Sequence, residues 1–236
     1  MSWRILAASA AFVVCGACSE VGWVRYKPDA GTMVVLDTEP DAAGDATLDA
    51  PAIVPLSQTT SESVVANASV ACISNGYTTE NSWYRVFDLV DFGITEDFHV
   101  TEVTFGVEKA AGTQNVQVKI GIYDGAIGTN LDTGNSDFGG PITYVNMGTV
   151  NVPANTGYVT SVPVEGELPA NSKLIVSVRT PGATGQAPYF YVGASNTGER
   201  RPGFIRAPAC GIGRPTTTGS IGFPNSHLLI SVRGYH

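Results

Sequence analysis

Charge, and positive charge above all, is scarce in this chain. Of its 236 residues only 14% are Asp, Glu, Lys or Arg, and 13 basic against 21 acidic side chains leave a formal net charge of −8. An ordinary soluble domain carries about 25% charged residues. Without clustered Lys and Arg there is no means of displacing counterions from phosphates, which argues against a nucleic-acid partner. Imidazoles are nearly missing too: His99, His227 and the terminal His236 are all there are. There is no H-E-x-x-H, no Cys/His zinc cluster and no phosphate-cradling glycine loop. The segment Gly193-Ala194-Ser195-Asn196-Thr197 approaches a nucleophile elbow but has Thr where the second Gly belongs, so Ser195 reads as an ordinary loop residue. Neither a heptad nor a collagen period runs through the 27 Gly and 14 Pro, which excludes fibrous classes. What the chain does have is a 43% apolar content, enough for a packed core.

The N-terminus reads as an export signal over residues 1–17. Arg4 precedes an apolar run from Ile5 to Val14, followed by the small residues Gly16 and Ala17. Ten apolar residues are too few to cross a membrane, which takes about 20 in a helix. Cys15-Gly16-Ala17-Cys18 resembles the lipobox of bacterial lipoproteins, with Cys15 standing where Leu is usual. The resemblance implies that Cys18 is lipidated and anchors the chain to a membrane by lipid alone. Plain cleavage after Ala17, leaving Cys18 a free thiol, is the open alternative. With Cys15 and Cys18 used in this way, Cys72 and Cys210 remain, and an oxidising compartment is expected to pair them. Two buried free thiols are the alternative.

Residues 18–55 shift in composition. Glu20, Asp29, Asp37, Glu39, Asp41, Asp45 and Asp49 face only Arg25 and Lys27, so after Cys18 this stretch is expected to be an acidic, flexible tether. Trp23, Val24 and Tyr26, and Met33 to Leu36, are apolar enough either to form short strands or to dock on the domain that follows.

From Leu56 to His236 the pattern is period-two alternation broken by Gly, Pro and Asn, the mark of an all-β, antiparallel two-sheet β-sandwich of about ten strands. Val116, Val118, Ile120 and Ile122 alternate with Gln117, Lys119 and Tyr123; Val103, Phe105 and Val107 with Glu102, Thr104 and Glu108; Leu174, Val176 and Val178 form a third inward row. One face is expected to be core and the other wet. The strands are expected at 63–73, 83–89, 99–109, 115–124, 142–152, 158–165, 173–180, 188–194, 204–207 and 227–235. Asn81-Ser82-Trp83-Tyr84-Arg85-Val86-Phe87-Asp88-Leu89, the run from Phe98 to Glu108, Arg206-Ala207-Pro208 with Cys210-Gly211, and Ile221-Gly222-Phe223-Pro224-Asn225 together resemble jelly-roll-type β-sandwich modules of bacterial secreted and surface proteins, similar in architecture to carbohydrate-binding modules. That resemblance covers roughly residues 60–236 and implies no catalytic residue.

The candidate sites follow from these expectations. Tyr189 and Tyr191 share one face of a strand at about 6.8 Å separation, a small platform on which a sugar ring stacks, while Phe190 and Val192 point into the core. Tyr123, Arg179 and Arg233 are polar-face residues placed to join them across strands, and Trp83 is assigned to the core. Asn130, Asp132 and Asp137 supply hard oxygen donors suited to a structural Ca2+, although Asp, Asn and Gly are also what long turns are made of. Glu102, Glu108 and Asp88 are the carboxylates that a glycoside hydrolase would need to bring together. The expected function is non-catalytic binding of a glycan or an envelope protein on the bacterial cell surface. A structural or assembly lipoprotein is the alternative, and a glycosidase-like enzyme comes third.

Overall fold

A computed structural model of the chain describes residues 51–134, 140–182 and 189–236. The export signal, Cys18, the tether up to residue 50 and Asp137 lie outside the described residues. The strands are β1 Val54–Ser57, β2 Ile73–Ser74, β3 Tyr77–Thr78, β4 Asn81–Asp88, β5 Phe98–Ala110, β6 Gln114–Tyr123, β7 Ile142–Val152 and β8 Asn155–Leu168. After them come β9 Lys173–Thr180, β10 Phe190–Val192, β11 Ala194–Ser195, β12 Phe204–Ala207, β13 Ile212–Thr217, β14 His227–Leu228 and β15 Ile230–Tyr235.

All pairings are antiparallel. Sheet I runs β1-β15-β5-β8, with β10 taking over from β15 along the far end of β5. Sheet II runs β13-β12-β4-β9-β6-β7. Counting β1, β4, β5, β6, β7, β8, β9 and β15 as eight consecutive strands, sheet I holds the first, eighth, third and sixth, and sheet II the second, seventh, fourth and fifth. That is the interleaved order of a jelly roll, with β10 to β14 inserted before its last strand.

The alternating rows fill the space between the sheets. Val103, Phe105 and Val107, Val116, Val118 and Ile120, and Leu174, Val176 and Val178 all belong to one buried cluster with Trp83, Phe87, Phe190 and Val192. Trp83 is fully buried, donates its indole N–H to the Val70 carbonyl at 2.8 Å, and meets Phe190 edge-on at 5.9 Å.

Sheet II is not simply wet on its outer side. Tyr84, Val86, Ile175, Phe204 and Tyr123 form a second core there, closed by Leu131. Every residue of β4 except Asp88 is therefore buried. Within β4 the guanidinium of Arg85 is fully buried as well: it donates to the Leu228 and Arg201 carbonyls and sits 2.7 Å from the Glu199 carboxylate. Glu199 in turn lies 3.3 Å from His227 Nδ1. A buried charge needs both a counter-ion and hydrogen bonds to be tolerated, and Arg85 has both.

Cys72 and Cys210 form a disulfide, with Cα atoms 5.9 Å apart. It joins the segment before β2 to the short 3-10 turn Pro208–Cys210, not strand to strand. Several expectations for the strands change: the one at 188–194 divides at Gly193 into β10 and β11, and the one at 158–165 lengthens to β8, Asn155–Leu168. Residues 63–72 form a loop, because Asn67 adopts φ 62° and the Glu108 carboxylate takes the backbone N–H groups of Asn67 and Ser69 at 2.8 and 2.9 Å. The final strand divides at Leu229 into β14 and β15. Val54 and Pro55, expected in the tether, already belong to β1, opposite Gly234 and Arg233.

The division at Leu229 has a cause. Gly106 donates to the Leu229 carbonyl, Leu229 to Gly193, and Gly193 back to Gly106, closing a ring of three backbone hydrogen bonds where the inserted strand leaves sheet I. A Cβ on Gly193 would meet the Gly106 carbonyl carbon at 2.9 Å, so only glycine admits this approach. Beyond the crossing, β11 pairs with β14, Ser195 opposite His227.

Candidate functional site

The tyrosine pair stands as the alternation requires. Phe190 and Val192 are buried, and Tyr189 and Tyr191 lie half-buried on the outer side of sheet I, their rings 6.2 Å apart and tilted by 44°. Their backbone is held against β5: Tyr191 pairs with Lys109, and Ala111 donates to the Tyr189 carbonyl at 2.9 Å. Lys109 Nζ sits over the Tyr189 ring at 4.8 Å, a cation–π contact worth about 0.5–1 kcal/mol at an exposed site. Burial pushes the Tyr191 hydroxyl above its ordinary value of 10.0, and the charges of Tyr189 and Glu108 push the same way. Tyr191 is thus a neutral hydrogen-bond donor throughout the physiological range.

The residues expected to join this pair do not. Tyr123 is 1% exposed and belongs to the second core, because residues 124–131 fold back over it. Its hydroxyl donates to the Ala126 carbonyl at 2.9 Å and accepts the Asp132 N–H at 3.1 Å. Arg179 lies on β9 in the other sheet, where Glu80 holds it at 3.4 Å and Arg206 at 3.1 Å. Arg233 is on sheet I, but opposite Glu102 at the other end of β5. Seven residues separate Glu102 from Lys109, about 24 Å of strand.

Of the proposed calcium ligands, Asn130 bridges to Thr216 and Asp132 accepts the Gly134 N–H at 2.9 Å, both in the segment that covers Tyr123. Asp137 is not among the described residues. Among the described residues no three His, Cys, Asp or Glu side chains converge on a common point. Glu102 and Asp88 belong to different sheets, and Glu108 is engaged by two backbone N–H groups. Ser195 is fully buried, its hydroxyl 3.4 Å from that of Thr197.

One concave feature joins segments that the sequence presents separately, as part of a strand at 63–73 and as a turn at 222–225. A cleft of about 300 Å³ opens between segment 65–68 and the turn 222–226, with Asn196 between them. Its residues come from three distant parts of the chain and no spacing connects them.

No protein-family model matches the chain, and no curated protein matches it in sequence. The chain is similar in part to a solved structure of the cysteine protease and lectin-like domains of Cwp84, a surface layer associated protein of Clostridium difficile. The two are 12% identical with a TM-score of 0.47, and the match covers 67% of this chain and 32% of that one. This chain thus spans about a third of that structure's length. Among the described residues no helix is long and apolar enough to cross a membrane.

Proposed function

We propose that the protein is a non-catalytic glycan-binding module carried on the bacterial cell envelope, exported by residues 1–17 and anchored through Cys18. The observation that carries this reading is the Tyr189–Tyr191 pair: two half-buried rings 6.2 Å apart on the outer side of a rigid sheet, with Lys109 and Glu108 beside them. A pyranose offers an apolar C–H face to such rings and hydroxyls to the polar groups around them, so the site binds without any group having to titrate. The disulfide is the second support, since such bonds persist in exported proteins and are rare in the cytosol. Tyr123, Arg179 and Arg233 drop out of the proposed contact set.

The test is a glycan-array screen of the full chain, with and without calcium, beside a Tyr189→Ala/Tyr191→Ala variant. A saturable signal that falls at least tenfold in the variant is expected; a signal that the variant retains removes the tyrosines from the site.

A second reading, a structural or assembly lipoprotein, draws on β7. This edge strand of sheet II exposes Tyr144, Val145 and Met147, and Val159 is exposed on β8. A long unpaired edge with apolar side chains is a surface onto which another protein can add. Absence of any array signal in both calcium conditions would favour it.

A further inference from the structure

We propose that the cleft between segment 65–68 and the turn 222–226 is a second binding site, which takes one neutral pyranose residue of a glycan. The inference goes beyond the tyrosine pair and does not depend on it.

The cleft is built before any ligand arrives. One wall is held by Val65 donating to the Ala194 carbonyl at 2.9 Å and by Glu108 accepting from Asn67 and Ser69. The other is a turn fastened by Phe223 N–H to the Thr218 carbonyl at 2.9 Å, Ser226 N–H to the Phe223 carbonyl at 3.1 Å, and the Thr218 hydroxyl to the Ser226 carbonyl at 3.0 Å. The floor is the end of the β11–β14 ladder, which Asn196 leaves and Ser226 enters. At about 300 Å³ the space matches the lower end of small-molecule sites.

The lining specifies the ligand class. It holds no charged residue, which disfavours an anion or a cation. Asn67, Asn196 and Asn225 each bring an exposed side-chain amide that both donates and accepts, and none of these three side-chain amides has a hydrogen-bond partner among the described residues. Phe223 is 49% exposed beside Pro224, a flat apolar surface at the rim. Ser226 is 2% exposed, yet its hydroxyl has no partner. A buried hydroxyl left unpaired costs free energy, and that loss is recovered if the turn 222–226 shifts to open the oxygen to a ligand hydroxyl. Alternating donors and acceptors around one apolar face are the complement of an uncharged sugar ring.

The test is a 1H–15N NMR titration of the full chain with methyl α-glucoside, methyl β-galactoside and N-acetylglucosamine as separate probes. At least one probe is expected to shift the amides of Asn67, Asn196, Phe223, Asn225 and Ser226 saturably. Phe223→Ala is expected to weaken that binding at least tenfold and Ser226→Ala at least threefold, with Tyr189→Ala/Tyr191→Ala leaving it unchanged. Ser226→Ala is also expected to leave the melting temperature unchanged or raise it, because the hydroxyl it removes has no partner in the free protein. No shift in the cleft with any probe, binding indifferent to Phe223→Ala, or a melting temperature lowered by Ser226→Ala would overturn the inference. Loss of array binding in the tyrosine variant with these shifts intact would separate the two sites.

Discussion

Tyr123 shows how one side chain changes role without changing face. It lies on the same side of β6 as Gln117 and Lys119, where alternation puts it, but Leu131 and the segment before it cover the ring. Gly125 makes this possible: a Cβ there would stand 2.5 Å from the Tyr123 ring. Tyr123→Phe is expected to lose about 1–2 kcal/mol of stability, since the Ala126 carbonyl and the Asp132 N–H lose their shared partner. Chemical denaturation measures this, and sugar binding should be untouched. Burial pushes the neighbouring Tyr84 hydroxyl up to about 12, with the charge of Tyr144 adding to the effect. Glu80 behaves oppositely. Burial pulls its pKa up, but the hydrogen bonds and charges of Arg179 and Arg206 together outweigh this, and the carboxyl stays below its ordinary 4.5. A carboxylate depressed in the folded state stabilises it above the unfolded pKa and loses that contribution as pH falls through the folded value. Between about pH 5 and pH 3 the melting temperature of the wild type should therefore fall more steeply than that of Glu80→Gln. Parallel curves would mean that the two arginines contribute nothing through Glu80.

At the level of elements, alternation reveals mostly the strands that lie inside the two sheets. Lys173–Thr180 and Phe204–Ala207 have the expected bounds, and β5 and β6 differ by a residue at each end, because each of these strands buries a row against the opposite sheet; Ile142–Val152, at the edge of sheet II, also has the expected bounds, although only its Val152 is buried. Among the strands that alternation does not reveal, the two-residue β3 is too short to carry a period, and β1 and β13 are edge strands that contain proline, Pro55 and Pro215. Proline reads as a turn in sequence but is tolerated at an edge, where its missing N–H has no ladder to serve. The loop at 63–72 reads as a strand because Val64, Ala66, Ala68 and Val70 fall at every second position; its conformation is imposed by Glu108, which lies about 40 residues away and enters no local pattern. The tyrosine pair was visible because it depends only on the two-residue period. The cleft was not, since Asn67, Asn196 and Phe223 meet only through the ring of hydrogen bonds at Gly106, Gly193 and Leu229 and the turns around it.

The described domain is a jelly roll whose inserted strands, β10 to β14, carry both proposed sugar sites at one end. The tyrosines precede the crossing at Gly193, and Asn196 follows it. The Cys72–Cys210 disulfide closes a chain segment of 138 residues. A closure of this length is worth up to about 5 kcal/mol in the chain-entropy model, and disulfides commonly deliver about 2–5 kcal/mol. Cys210 is exposed, so a reductant should reach the bond and lower the melting temperature by about 5–20 °C for a domain of this size; an unchanged melting temperature would mean that the hydrogen-bonded sheets hold the two segments unaided. A glycan-binding role for the tyrosine platform meets its most direct check in affinity electrophoresis of the full chain through native gels containing extracted envelope polysaccharide, beside the Tyr189→Ala/Tyr191→Ala variant. Retardation of the wild type that the variant loses is the expected result, and equal mobility of the two proteins in the polysaccharide gel would contradict it.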